Sequence, residues 1–151
     1  MDDNGPRPPA ALMERLSFLL KHASALVEHA IEPELARLSI NGREFAVLTL
    51  IDAEGPASQQ RLAARIGVDR TTMVGLIDAL EEKQLVSRRR DPNDRRAYVL
   101  EATPAGRKTL RDALKTVELG EQQALASLTN TESATLKHAL QRLVQAQPPR
   151  T

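Results

Sequence analysis

The amino-acid sequence predicts a mainly α-helical fold with one small β-hairpin, and three observations carry that expectation. Apolar residues recur at three- and four-residue spacing over most of the 151-residue chain. Two short runs, Leu85-Val86-Ser87 and Ala97-Tyr98-Val99-Leu100, read instead as strands separated by a polar, arginine-rich connection. Aromatic residues are confined to Phe18, Phe45 and Tyr98, so the core must be aliphatic, as in helical proteins packed from Leu, Ile, Val and Ala.

Residues 1–9 contain Asp2, Asp3, Gly5 and three prolines, and read as a disordered arm. A helix beginning around Pro9 to Ala11 keeps an apolar stripe through Leu12, Leu16, Leu19, Leu20, Ala23, Leu26, Val27, Ala30 and Ile31, until Pro33 kinks or ends it. Such a stripe is longer than one small domain can cover. Asn41 or Gly42 starts the next helix, whose apolar face is Phe45, Leu48 and Ile51 and which Gly55-Pro56 closes.

Residues 59–66 follow Ser58 as N-cap, with Leu62, Ala63 and Ile66 on one side, and Gly67 supplies the left-handed C-terminal stop. Asp69 caps the helix after it. Within residues 70–84, Met73, Leu76, Ile77 and Leu80 form the buried stripe, which leaves Arg70, Thr71, Val74, Gly75 and Asp78 outward. Two helices joined by a tight turn, the second presenting a polar N-terminal end, make a helix-turn-helix whose second helix fits the major groove of DNA. The connection over residues 88–96 adds five arginines against Asp91 and Asp94. A hairpin with a basic tip beside a helix-turn-helix is a winged helix.

After the hairpin, Thr103-Pro104 is a strong helix start, because threonine caps and proline tolerates the first position. That helix runs through Leu110, Leu114 and Val117, reaching as far as Leu125, with Gly120 as its weak point. Thr129 and Glu132 have capping-box spacing ahead of a last stripe, Leu136, Leu140, Leu143 and Val144, which Pro148 and Pro149 stop. The expected architecture is a winged helix-turn-helix plus a terminal helical dimerisation unit. The division is residues 41–103 for DNA binding, residues 10–40 and 104–147 for dimerisation, and residues 148–151 as a tail.

Composition narrows the function. The net charge is only +1, but residues 61–108 hold eleven Lys or Arg against seven Asp or Glu, an excess of four that leaves −3 on the rest. Positive charge is therefore concentrated on the proposed reader. No cysteine is present, which removes disulfides, thiolate metal sites and cysteine-based peroxide sensing. No apolar run is long enough to cross a bilayer and no signal sequence opens the chain, so a cytoplasmic location away from membranes is expected. No glycine-rich phosphate loop, nucleophile elbow or His-Glu-x-x-His helix supports catalysis. His22 and His29 share a helix face with Glu28 and Glu32 nearby, a pattern more ordinary for solvated surface than for a metal, so neither metal nor cofactor is expected.

The stretch RLAARIGVDRTTMVGLIDALEEKQLVSRRRDPNDRRAYVLEATPAG, residues 61–106, resembles the MarR-type winged helix-turn-helix regulators. Their wing pattern is Asp-x-Arg, five residues, then Leu-Thr; Asp94, Arg96 and Thr103 match it, and Ala102 replaces the leucine. Gln84 stands where that family usually has glycine. Helix order and length extend the similarity from about Leu12 to Val144. The resemblance implies a homodimeric, sequence-specific transcriptional regulator, most often a repressor, acting on double-stranded DNA at a pseudo-palindromic operator. A winged-helix protein–protein interaction module without specific DNA binding is the alternative.

On the regulator reading, Arg70 pairs with guanine or holds phosphate, and Thr71 and Thr72 bond phosphate or meet a thymine methyl group. Gly75 either lets the helix backbone approach DNA or marks a close helix contact inside the domain. Arg88, Arg89 and Arg90 hold phosphates. The resemblance further implies that Asp94 orients Arg96, and that Arg95 or Arg96 enters the minor groove. It also implies a small aromatic or anionic effector that releases DNA, for which Arg15, His22 and Phe45 are the candidate contacts.

Overall fold

Helices and a single hairpin build the chain in the computed structural model, which describes residues 8–94 and 96–146. In order these are α1 (Ala10–Met13), α2 (Leu16–Arg37), α3 (Gly42–Glu54), α4 (Gln59–Ile66), α5 (Arg70–Glu82), β1 (Val86–Arg90), β2 (Tyr98–Ala102), α6 (Pro104–Ala124) and α7 (Asn130–Gln145). The arm before residue 8 and the tail after residue 146 lie outside the described residues.

The core is aliphatic, as composition required. Leu35, Val47, Leu48, Leu62, Met73, Ile77 and Leu80 are fully buried where α2, α3, α4 and α5 meet, and Leu110 and Ala113 bring α6 into the same cluster. The expected caps at Ser58, Asp69, Thr103 and Thr129 are made, and Asn41 adds one more. Ser58 accepts from the Arg61 N–H, Asp69 from the Thr72 N–H and Thr103 from the Gly106 N–H, while Asn41/Glu44 and Thr129/Glu132 each close a reciprocal capping box. Gly67 ends α4 at φ 76°, the left-handed conformation expected of it.

Four expectations need correction. The first helix breaks at Glu14 and Arg15, where Arg15 turns extended, so α1 is separate from α2. Pro33 does not end α2, which continues to Arg37. Its missing N–H forfeits one helical bond, yet the turn beyond it carries Leu35 into the core at 0 % exposure, and that burial offsets the loss. Gly120 is not a weak point of α6. A side chain there would come within 2.5 Å of Ile31 Cγ2, so the bare glycine is what lets α2 and α6 cross closely. The strands, finally, extend further than the apolar runs, because Arg88, Arg89 and Arg90 belong to β1 and not to the connection.

The hairpin is antiparallel, with Val86 opposite Ala102, Arg88 opposite Leu100 and Arg90 opposite Tyr98. Val86, Val99, Leu100 and Ala102 are buried, and the arginines of β1 are exposed. Ala57 pairs with Leu100 through both backbone bonds, at 3.2 and 2.9 Å, and so fastens the hairpin to the segment between α3 and α4. The wing cannot swing freely. At its other end Thr103 donates its hydroxyl to the Gln84 carbonyl at 2.7 Å, and its N–H to that of Leu85 at 3.0 Å.

Candidate nucleic-acid interface

The reading surface begins at Asp69. Its carboxylate accepts from the hydroxyl of Thr72 and from the Thr72 N–H, and these bonds, the hydroxyl's first, hold the Asp69 carboxyl below the usual carboxylate range. The start of α5 is thereby anchored. Thr72 is half-buried with its hydroxyl spent on this cap, whereas Arg70 and Thr71 are exposed.

Met73, Ile77 and Leu80 turn into the core at 0 % exposure, and helical periodicity then carries Val74, Gly75 and Asp78 to the outer side, where all three are exposed. Nothing lies within 4 Å of the place a side chain at Gly75 would occupy. The alternative of a tight helix contact inside the domain is thus removed, and Gly75 marks an open stretch of helix backbone.

Arginines of the wing are held in place by acids of the same head. Arg88 reaches back to α5, pairing with Asp78 at 2.6 Å and Glu81 at 3.0 Å, and Arg89 pairs across the strands with Glu101 at 2.7 Å. The Arg88 pairs brace the wing against the reading helix, and the Arg89 pair ties its two strands together. The guanidinium of Arg90 lies over the Tyr98 ring at 5.2 Å. At the turn, Asp91 accepts from the Asn93 N–H at 2.8 Å and Asp94 from the Arg96 N–H at 2.9 Å. Asp94 therefore positions Arg96 through its backbone, and the Arg96 side chain is exposed at the tip. Arg95 lies outside the described residues.

A second tie was not foreseen. Glu44, 2 % exposed, accepts two hydrogen bonds from Lys83 Nζ, at 2.7 and 2.8 Å, and a third from the Asn41 N–H at 2.9 Å. This joins the start of α3 to the end of the reading helix. The Asn41-to-Glu44 spacing was a legible capping box, but the lysine is 39 residues away and only the fold brings it there.

The three residues expected to touch an effector lie at different points of α2 and α3. Arg15 is exposed at the N-cap of α2. His22 is exposed, stacked on Phe18 at 3.8 Å, and Phe45 is half-buried against the core. A cleft of 580 Å³ does open between α2, α3 and the end of α4, lined by Ile31, Leu35, Ala46 and Ile66 and by the polar Glu28, Glu32, Asn41 and Arg43. None of the three lines it. Among the described residues no cluster of three His, Cys, Asp or Glu could hold a metal ion, and no helix is long and apolar enough to cross a membrane.

Comparison with known proteins agrees with this geometry. Residues 40–98 match the family model described as the MarR family. A crystal structure of a MarR-family transcriptional regulator from Rhodococcus sp. RHA1 is 30 % identical, with a TM-score of 0.81 over 89 % of this chain and 96 % of that one. The transcriptional repressor CouR bound to a 23-mer DNA duplex is 29 % identical, with a TM-score of 0.81 over 93 % of this chain and 99 % of that one. CouR from Rhodococcus jostii RHA1 bound to p-coumaroyl-CoA superposes with a TM-score of 0.79 at 29 % identity, over 94 % and 100 % of the two chains. Among curated sequences, the transcriptional repressor NicR of Pseudomonas putida is 24 % identical over 143 residues, 91 % of this chain and 87 % of its own.

Proposed function

Because the chain belongs to the MarR family, we propose that it acts as a homodimeric, sequence-specific DNA-binding repressor of transcription in the cytoplasm, released from its operator by a small molecule. One observation carries the reading: an exposed helix face, Arg70, Thr71, Val74 and Gly75, stands beside an arginine-rich wing that Arg88 braces against that same helix. Two such heads related by a two-fold axis would read a pseudo-palindromic site, one half-site per subunit about one helical turn apart. Arg70 donates to a guanine edge, Thr71 bonds phosphate, and Arg96 enters the minor groove beside it. Arg88, Arg89 and Arg90 line the path of the phosphates, Arg88 and Arg89 by exchanging their carboxylate partners for phosphate, and Thr72 contributes chiefly by fixing the start of α5.

For the effector, the cleft between α2, α3 and α4 is a better seat than the neighbourhood of Arg15 or His22. Ile31, Leu35, Ala46 and Ile66 on its walls suit an aromatic molecule, while Arg43 is set against Glu28 and Glu32 at the polar part of the lining. CouR's ligand, an aromatic acyl thioester of coenzyme A, is of that chemical class. A ligand wedged between α2 and α3 would favour a spacing of the two heads that cannot span both half-sites, which is release by population shift.

Fluorescence titration against the DNA flanking the protein's own gene, at two salt concentrations, tests the reading. Arg70→Ala and Arg96→Ala should each weaken specific binding about tenfold or more without unfolding the chain, and each lost phosphate contact should lower the salt slope by about one unit. Unchanged affinity in both variants would sink the DNA model and favour a protein partner for the same surface.

A further inference from the structure

Granted this DNA-reading role, we infer that Val74 recognises a thymine through its 5-methyl group, next to the base contacted by Arg70. Val74 is 37 % exposed on a helix whose Met73, Ile77 and Leu80 are at 0 %. It lies outside the fully buried cluster, and its open third presents a branched apolar group at the middle of the reading face. Arg70 lies one helical turn earlier on the same face, about 6 Å along the axis, so the two side chains reach neighbouring base steps.

The surroundings fit a methyl group. Arg70 and Val74 share a notch of 430 Å³ between α4 and α5, with Ala63 and Met73 on its apolar floor and Gln59 and Gln60 at its rim. Beside Val74, the empty space at Gly75 gives a base edge room to approach the helix. The next outward residue, Asp78, can accept from a cytosine amino group through the oxygen that Arg88 does not engage, but it lies one turn beyond Val74 along the helix. What remains at the centre of the face is apolar. In the major groove thymine alone among the four bases presents an apolar group, and the flanking arginines specify a polyanion as the occupant.

The test removes that methyl group and nothing else. Duplexes enriched from a random-sequence pool by the full-length protein would be remade with each thymine replaced singly by deoxyuridine, and their binding to parent and Val74→Ala protein measured by fluorescence anisotropy. The expected result is one thymine per half-site whose replacement weakens the parent about fourfold, the factor that burying one methyl group supplies. Val74→Ala should bind the thymine and uracil duplexes alike. A parent indifferent to uracil at every position, or a Val74→Ala protein that keeps the fourfold preference, overturns the assignment while leaving sequence-specific binding intact. Failure to enrich any sequence would instead overturn the DNA-reading role, and this assignment with it. An indifferent parent overturns the assignment whether or not the variant folds, and Val74→Ser supplies the same comparison should Val74→Ala fold poorly.

Discussion

At the junction of α5 and β1, Gln84 holds φ at 59°, a left-handed conformation in which a side chain crowds its own backbone. The conformation is imposed from both sides. Leu85 donates its N–H back to the Leu80 carbonyl, closing the helix, while Thr103 clasps the Gln84 carbonyl from the start of α6. Gln84→Gly should therefore stabilise the protein by about 1 kcal/mol, read as a raised thermal midpoint. A lowered midpoint would show that the glutamine side chain stabilises more than its backbone strain costs. That conformation was legible in the sequence, because the resembled family places glycine at this position. The close approach of Gly106 to the Leu85 backbone was not, since nothing within residues 104–110 announces which strand entrance will pack against them.

At the scale of elements, the reading head is held together by side-chain ties between pieces far apart in sequence. Lys83 and Glu44 fasten the end of α5 to the start of α3, and Arg88 fastens β1 to α5 through Asp78 and Glu81. Breaking the first leaves different damage on its two sides. Glu44→Ala removes both the capping-box acceptor of α3 and the partner of Lys83, and should cost about 2–4 kcal/mol in denaturant unfolding, less than a fully buried pair because the lysine is partly solvated. A loss under about 1 kcal/mol would mean that α3 and α5 are held by their apolar faces alone. Both helices were legible from periodicity and caps. Their tie was not, because a lone Lys and a lone Glu carry no pattern that pairs them across 39 residues.

The whole molecule has apolar surface that one chain does not cover. α7 buries none of its residues, Leu143 and Val144 are 50 and 73 % exposed, and Leu119 on α6 is 67 % exposed. On α2, Leu16 and Leu26 are exposed at 66 and 64 %. Exposed apolar residues concentrated on the terminal helices, away from the reading head, suit a self-complementary face between two copies. Leu119→Glu combined with Leu143→Glu should turn the dimer into monomers in sedimentation equilibrium, and operator affinity should fall steeply because a monomer reaches only one half-site. A double variant that remains dimeric would place the subunit interface elsewhere. The excess apolar stripe was visible in the sequence, as more surface than a small domain can bury.

Periodicity, capping residues and the arginine-rich hairpin by themselves determined the order of elements from α3 onward, the helix-turn-helix and the outward face of α5, because all of these depend on spacing along a few turns of chain. Tertiary structure alone decided that Pro33 stays within a helix, that Gly120 marks a crossing and that Asp78 is engaged by Arg88. It also placed the cleft between α2 and α3 away from Arg15 and His22. The reason is common to all four. Each is a balance struck between groups on different elements, where burial or charge gained across a contact exceeds a local preference, and local preference is the only one of the two written along the chain.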